Sequence, residues 1–168
     1  MDPIVRRSGA DLARLIASRE VSCREVMRAF LDRIHRVNPS VNAIVALQPD
    51  ETLLAQADLR DQQLAKGESL GWMHGFPLAV KDLAFTEGIP TTLGSPIFRD
   101  QVPTSDSLVV ARMKRAGAIV IGKTNTPEFG LGSNTYNPVY GTTRNPYDPQ
   151  RSAGGSSGGA GVAIWAGH

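Results

Sequence analysis

The chain has 168 residues, of which 41% are hydrophobic and 20% charged, and its net charge of +2 is typical of an ordinary globular domain or part of one. This balance excludes a strongly basic nucleic-acid-binding protein, and no apolar run approaches the ~20 residues that span a bilayer. A single cysteine and three separated histidines predict no internal disulfide and no metal site, and the start of the chain lacks a signal peptide's apolar segment, so we expect a cytoplasmic protein.

The first third of the chain is predicted to be helical. A short helix over residues 10–18 has Ser8 as its cap. Ser22 and Glu25 form the capping-box pattern of a second helix, whose apolar residues recur at helical spacing. We expect this second helix to stop at the Asn-Pro pair that ends with Pro39.

Strands and helices alternate through the middle of the chain. Residues 41–47 are a short apolar stretch typical of a strand, and Pro49 opens an amphipathic helix that Gly67 ends. Residues 78–80 predict another short strand, and residues 84–104, rich in Gly, Pro, Thr and Ser, predict a long structured loop.

A further helix over residues 108–116 precedes a buried strand at residues 118–121. Ser105 or Asp106 is the expected cap of this helix, and Gly117 is its expected end. A helix, a glycine and then a β-branched run are typical of α/β proteins. We therefore predict an α/β fold with helices packed around a mixed β-sheet.

Lys81 stands out because it lies in an apolar run after a predicted strand, and only four of the 18 basic residues are lysines. Burial would lower the lysine pKa and make the amine a usable general base. The alternative is a lysine that extends to solvent or pairs with Asp82 at the surface. Lys123, after the other buried strand, is expected to have a structural role instead.

The region from 122 to 161 is rich in Gly, Ser, Thr, Asn and Pro, but interleaved aromatic residues favour an ordered loop over a disordered one. Its GGSSGG run at 154–159 leads directly into a small-residue apolar segment that is typical of a closely packed helix. Glycines there would permit positive φ and a close approach to a substrate. The alternative is a flexible linker.

Four motifs together resemble the amidase signature family over residues 72–163. In chain order they are Val80-Lys81-Asp82, the GKTNTPEFG run at 122–130, Asn145-Pro146-Tyr147 and GGSSGG at 154–159. The resemblance implies that residues 1–168 are the N-terminal part of a single amidase signature domain.

The resemblance also implies roles for individual residues. Lys81 matches the family's catalytic lysine, and Ser156 matches its bridging serine, which the family holds after a cis peptide bond that would here be Gly155–Ser156. Ser157 is expected to stabilise the loop by hydrogen bonding, and Asp82 is expected to shape the network around Lys81.

Gly130 matches a position whose backbone lines the family's substrate pocket. Its alternative role is that of an ordinary turn glycine.

The implied activity is hydrolysis of a carboxylic amide to acid and ammonia or amine through a Ser–Ser–Lys triad. The family's nucleophilic serine would lie beyond residue 168, so we expect this chain alone to be inactive, and also marginally stable because apolar faces are left uncovered. We expect no metal and no organic cofactor, a small-molecule amide as substrate, and neither nucleic acid nor membrane as partner. Formation of a homo-oligomer is left open.

Two other functions remain compatible with the residues. The A subunit of a glutamyl-tRNA(Gln) amidotransferase shares the lysine and serine motifs, although residues 126–129 look more like those of general amidases. A non-catalytic binding or scaffold protein would instead have a mobile linker at 154–159 and Lys81 open to solvent.

Overall fold

The computed structural model describes residues 2–167 as five helices, a three-stranded sheet and a short hairpin. The helices are α1 (Gly9–Ala17), α2 (Cys23–Val41), α3 (Asp50–Ala65), α4 (Leu108–Arg115) and α5 (Gly158–Ala166). The strands are β1 (Ile44–Val45), β2 (Pro77–Lys81), β3 (Ile119–Thr124), β4 (Tyr136–Asn137) and β5 (Gly141–Thr142). Three 3-10 turns lie at Ile4–Arg6, Pro96–Phe98 and Glu128–Gly130.

The sheet is mixed, which confirms the predicted α/β class. Its strand order is β1-β3-β2, with β1 antiparallel and β2 parallel to the central strand β3. The β2–β3 pairing contains one irregularity: Leu78 pairs with Val120 but Ala79 pairs with Gly122, so Ile121 has no counterpart in β2. None of the helices described is long and apolar enough to cross a membrane.

The first two helices begin as predicted, but α2 ends later than predicted. Ser8 accepts a hydrogen bond from Asp11 N, and Ser22 forms a complete capping box with Glu25. The predicted stop at Pro39 is wrong, because Pro39 lies inside a helix that continues to Val41. A proline near the end of a helix removes only one donor from the last turn, and the left-handed Asn42 after it ends the helix.

The buried core lies between the sheet and the helices α1, α2 and α3. Its fully buried side chains include Met27, Leu31, Ile34, Leu53 and Ile121. Burial of these side chains removes apolar surface from water at roughly 25 cal/mol per Å², which is the main term that holds the N-terminal helices on the sheet.

The predicted cap of α4 is also wrong. Ser107 occupies the N-cap position, and its side chain makes no capping hydrogen bond. The Asp106 carboxylate instead accepts hydrogen bonds from Glu87 N and from Lys114 Nζ, both at 2.8 Å. The side chain proposed as a cap therefore fastens the preceding loop to the helix.

Residues 122–161 are ordered, as predicted, but polar contacts hold them, while the aromatic side chains Phe129, Tyr136 and Tyr147 are exposed. The strands β4 and β5 form a hairpin, and two isolated bridges join Asn134 to Gly154 and Arg144 to Ser152. The chain therefore folds back on itself in this segment and places the GGSSGG run beside the end of the sheet.

Candidate active site

Lys81 and Ser156 meet at the end of the sheet, 75 residues apart in sequence. Lys81 Nζ donates a hydrogen bond to Ser156 Oγ at 2.8 Å and another to Ser157 Oγ at 3.0 Å. One amine thus contacts two adjacent hydroxyl groups. Residues 154–159 take part in defined contacts, which the alternative of a flexible linker does not predict.

The strand end explains where the amine points. Lys81 is the last residue of β2 and pairs with Thr124 of β3. Side chains on a strand alternate between faces, so Lys81 shares its face with Ala79, which packs against the core cluster containing Ala163 of α5. The helix that follows Ser157 therefore covers the face from which the amine projects.

The environment of Lys81 shifts its protonation equilibrium toward the neutral amine. Burial lowers the pKa of Lys81 below its ordinary value. No carboxylate from residues 2–167 forms an ion pair with this amine, so no opposite charge offsets the cost of burying its charge. The surface pairing with Asp82 that we considered as an alternative is absent from this part of the chain.

Close backbone packing holds Ser156 in place. The Gly155–Ser156 peptide bond is cis. Gly155 N donates to the Ser133 carbonyl oxygen at 2.7 Å, and a methyl group on Gly155 would lie 2.7 Å from the Gly132 carbonyl oxygen. Thr126 Oγ1 also reaches the Ser156 carbonyl oxygen at 3.4 Å.

The positive φ predicted for the glycines at 154–159 is wrong, whereas their close approach to a substrate stays a prediction. None of them has a positive φ. They are small because the chain packs against itself: a methyl group on Gly159 would lie 2.3 Å from Asn125 N, and one on Gly158 would lie 2.3 Å from Thr135 Oγ1. These two glycines therefore lie in close contact with backbone and side-chain atoms of the same molecule.

Asp82 supports the site from a different direction than expected. Its buried carboxylate accepts hydrogen bonds from Thr92 N at 3.0 Å, Thr92 Oγ1 at 2.6 Å and Gly94 N at 3.3 Å. Burial raises the pKa of Asp82, and these hydrogen bonds oppose the rise. Asp82 therefore organises the loop at 92–94 and makes no hydrogen bond to Lys81.

Gly130 occupies a left-handed turn that packs against Leu83. Its φ is +72°, and a methyl group there would lie 2.6 Å from Leu83 Cδ1. A cavity of about 310 Å³ is lined by the neighbouring residues 127–128, 131–134 and 136–138, but not by Gly130. The geometry accounts for this glycine as a turn residue, while its predicted place in a substrate pocket stays a prediction.

A second cavity, of about 510 Å³, lies directly over the start of α5. Its walls include Gly155, Ser157, Tyr147 and Trp165, and the two aromatic rings meet edge to face with centroids 5.4 Å apart. Its lining includes Gly155 and Ser157, the two neighbours of Ser156 in sequence. Among residues 2–167, no group of three His, Cys, Asp or Glu side chains is placed to hold a metal ion.

The depth at which two polar residues of β3 are buried was not foreseen from the sequence. Lys123 is fully buried, although we expected only a structural lysine at a strand end. Thr124, the strand partner of Lys81, is also buried, and its Oγ1 has no hydrogen-bond partner in the described residues. The all-apolar run before Gly122 was the available signal, because it indicates a strand buried on both faces.

Comparison with known proteins gives a family match that includes both Lys81 and Ser156. A family model described as Amidase matches residues 25–168. The A subunit of glutamyl-tRNA(Gln) amidotransferase from Acidothermus cellulolyticus is 48% identical over 164 residues, which are 98% of this chain and 32% of that protein. The indoleacetamide hydrolase of Bradyrhizobium diazoefficiens is 47% identical over 98% of this chain and 31% of that protein.

A solved structure also matches most of this chain. A bacterial aryl acylamidase, described as belonging to the amidase signature enzymes, superposes with a TM-score of 0.88 at 31% identity, covering 96% of this chain and 34% of the acylamidase. The chain thus spans about a third of the length of the relatives it matches.

Proposed function

This chain belongs to the amidase signature family, and on that premise we propose that it supplies the lysine and the bridging serine of an amidase. The proposed reaction converts a carboxylic amide and water to a carboxylic acid and ammonia or an amine. The observation that carries the proposal is the 2.8 Å hydrogen bond between Lys81 Nζ and Ser156 Oγ, made by an amine that burial drives toward its neutral form.

In the proposed mechanism Lys81 is the ultimate base. The neutral amine accepts a proton from Ser156 Oγ while Ser156 accepts the proton of a nucleophilic serine, which attacks the amide carbonyl carbon. The proton returns through the same two residues to the departing nitrogen as the C–N bond breaks. Water then hydrolyses the acyl-enzyme, releasing the acid and restoring the serine. These steps need no metal and no organic cofactor.

We propose that the nucleophilic serine comes from outside residues 1–168. The resemblance assigns it to a later Gly/Ser motif, and this chain spans only 32% of the amidotransferase protein it matches. The cavity beside Gly155 and Ser157 is the space in which such a residue and the amide would meet. The chain alone is then inactive, because the members of a catalytic triad act as a unit.

Release of ammonia or amine from a simple aryl amide tests the proposal in a form of the protein long enough to contain the nucleophile. We expect Lys81→Ala and Ser156→Ala each to reduce kcat/KM by about 10³-fold or more. Lys66→Ala, which changes a lysine at the end of α3, is the matched control and should retain activity. Unchanged turnover in Lys81→Ala, or hydrolysis by residues 1–168 alone, would contradict the proposal.

The A subunit of a glutamyl-tRNA(Gln) amidotransferase is the second candidate, and the 48% identity to such a protein favours it as directly as the 47% identity to a hydrolase favours the first. The two candidates share the Lys81–Ser156 chemistry and differ in their need for partners. Hydrolysis of a small amide by the isolated protein supports the amidase. Amide hydrolysis that appears only with partner subunits supports the amidotransferase.

A further inference from the structure

Lys123 is a second buried lysine, and the proposed mechanism does not use it. It lies in the central strand β3 and none of its surface is exposed. Burying an amine is costly unless hydrogen bonds or an opposite charge compensate, so the residues around Lys123 show what its burial achieves.

The contacts of Lys123 lead back to Lys81. Lys123 Nζ donates to the Ala84 carbonyl oxygen and, at 2.9 Å, to Thr86 Oγ1. Ala84 N in turn donates to the Lys81 carbonyl oxygen at 2.9 Å. The amine of Lys123 therefore holds the far end of a four-residue turn that begins with Lys81.

The two lysines act from opposite faces of the sheet. Lys123 pairs with Val80 and Thr124 pairs with Lys81, so Lys123 projects on the face of Val80. The cluster on that face contains Val80, Val120 and the partly buried Ala84. Lys123 can thus hold the turn without entering the space occupied by Lys81 and Ser156.

Asp82 holds the same turn through its own hydrogen bonds. Its carboxylate binds Thr92 and Gly94, and it is fully buried like Lys123. Burial lowers the pKa of Lys123 to about 8, while attraction to Asp82 and to Asp106 opposes this shift. Lys123 and Asp82 therefore anchor the segment after Lys81, each through its own set of hydrogen bonds.

We propose that Lys123 is a positioning residue for Lys81: it fixes the 81–84 turn from the buried face of the sheet and so keeps the Lys81 amine at the Ser156 hydroxyl. This inference rests on the proposed function only in taking Lys81 as the base. The contacts of Lys123 are made entirely within this chain, so they can be tested without hydrolysis.

Side-chain NMR of the 168-residue chain with ¹³C-labelled lysine Cε provides the test. The chain has four lysines, Lys66, Lys81, Lys114 and Lys123, so each resonance can be assigned by substitution and titrated separately. In Lys123→Met, which replaces the amine with an apolar group of similar length, we expect the titration midpoint of Lys81 to rise toward the ordinary lysine range. Lys66→Met is the matched control and should leave the Lys81 midpoint unchanged.

A second variant keeps the test decisive if Lys123→Met fails to fold. Thr86→Val removes one acceptor of the Lys123 amine and leaves both lysines intact, so we expect a smaller rise of the Lys81 midpoint in the same direction. Circular dichroism establishes which variants are folded. A Lys81 midpoint that stays unchanged in a folded Lys123→Met variant, or in Thr86→Val if Lys123→Met is unfolded, overturns the inference.

The wild-type titration separates this inference from the proposed function. A wild-type Lys81 that titrates in the ordinary lysine range contradicts both. A lowered wild-type midpoint that the variants do not move contradicts only the role of Lys123, and it leaves Lys81 as the candidate base.

Discussion

The helical region at residues 9–65 and the glycine-rich region at residues 122–161 are held together by different forces. The helical region has a continuous apolar core to which α1, α2 and α3 all contribute. The glycine-rich region buries asparagines and threonines instead: Asn137 Nδ2 donates to Asn125 Oδ1 and to the Thr126 carbonyl oxygen, both at 2.7 Å. Asn137 Oδ1 also accepts from Tyr140 N at 2.8 Å.

The difference explains why the proposed reacting groups, Lys81 and Ser156, lie where they do. Apolar contacts are non-directional, and cores accept changes of shape when their total volume is kept. Hydrogen bonds and backbone contacts fix directions and distances, which the proposed proton relay requires. The second region therefore holds Ser156 in one geometry, and Lys81 reaches it from the strand end. Matched substitutions in the two regions measure how far they differ.

The largest effect is expected in the helical core. Leu53→Ala removes a fully buried side chain from α3, and we expect the free energy of unfolding to fall by about 2–5 kcal/mol through lost burial and the cavity left behind. Leu59→Ala is the control on the same helix, where the side chain is 56% exposed, and it should change stability by less than about 0.5 kcal/mol. Urea denaturation measures both, and equal losses would contradict the assigned core.

The next effect depends on pH and belongs to Lys123. Its pKa is lowered in the folded chain from 10.5 to about 8, so between these values the unfolded chain binds more protons than the folded chain. The stability that Lys123 contributes therefore rises with pH across this window, by at most roughly 3 kcal/mol.

Comparison with Lys123→Met isolates this contribution. Burial raises the pKa of Cys23 to about 12, which makes stability fall as pH rises through the alkaline range, but this effect is common to both proteins. We expect the difference in free energy of unfolding, wild type minus variant, to increase from pH 8 to pH 10.5 in urea titrations. A difference that is independent of pH would show that Lys123 titrates normally.

A single methyl group tests the close packing of the glycine-rich region. Gly159→Ala places Cβ 2.3 Å from Asn125 N and 2.6 Å from Asn125 O, and we expect a loss of about 1–3 kcal/mol. Gly161→Ala lies in the same helix with nothing within 4 Å, and it should gain up to about 1 kcal/mol from helix propensity. Thermal melting of the two variants gives the comparison, and shifts of the same sign would be evidence against the packing.

The smallest effect concerns helix caps. Ser8 accepts a hydrogen bond from Asp11 N, so Ser8→Ala should cost about 1 kcal/mol. Ser107 is also an N-cap, but its hydroxyl is buried and has no partner in the described residues, so Ser107→Ala should be neutral or slightly stabilising. Denaturant midpoints distinguish the two, and a larger loss for Ser107→Ala would contradict the assigned caps.

Local rules predicted the parts of the fold that depend on neighbours in sequence. The cap at Ser8, the capping box at Ser22 and the α3 helix that Gly67 ends follow from contacts within a few residues. The same reasoning failed at Pro39, because the energetic cost of a proline in a helix depends on how many helical residues follow it. Ser107 has the cap position, and Asp106 instead binds Lys114, a contact between a loop and the far end of the helix that the local pattern does not contain.

Family resemblance, rather than the spacing of residues along the chain, predicted that Lys81 and Ser156 share one site. Residue patterns alone left each of them with an equally ordinary explanation. Asp82 adjoins Lys81, yet its carboxylate turns to Thr92 because successive residues project on opposite faces. The apolar run before Gly122 indicates a strand buried on both faces, but the partners of the Lys123 amine, Ala84 and Thr86, lie in a distant loop that no local pattern predicts.

Ile121, the residue without a counterpart in β2, determines which of the following residues in the central strand β3 project on each face of the sheet. With strict alternation from Val120, the next positions on its face would be 122 and 124, and Lys123 would project toward Ser156 beside Lys81. Two ammonium groups would then share one pocket and repel each other. The one extra residue in β3 thus places the two lysines on opposite faces of the sheet, where the amine of Lys123 cannot compete with that of Lys81 for Ser156.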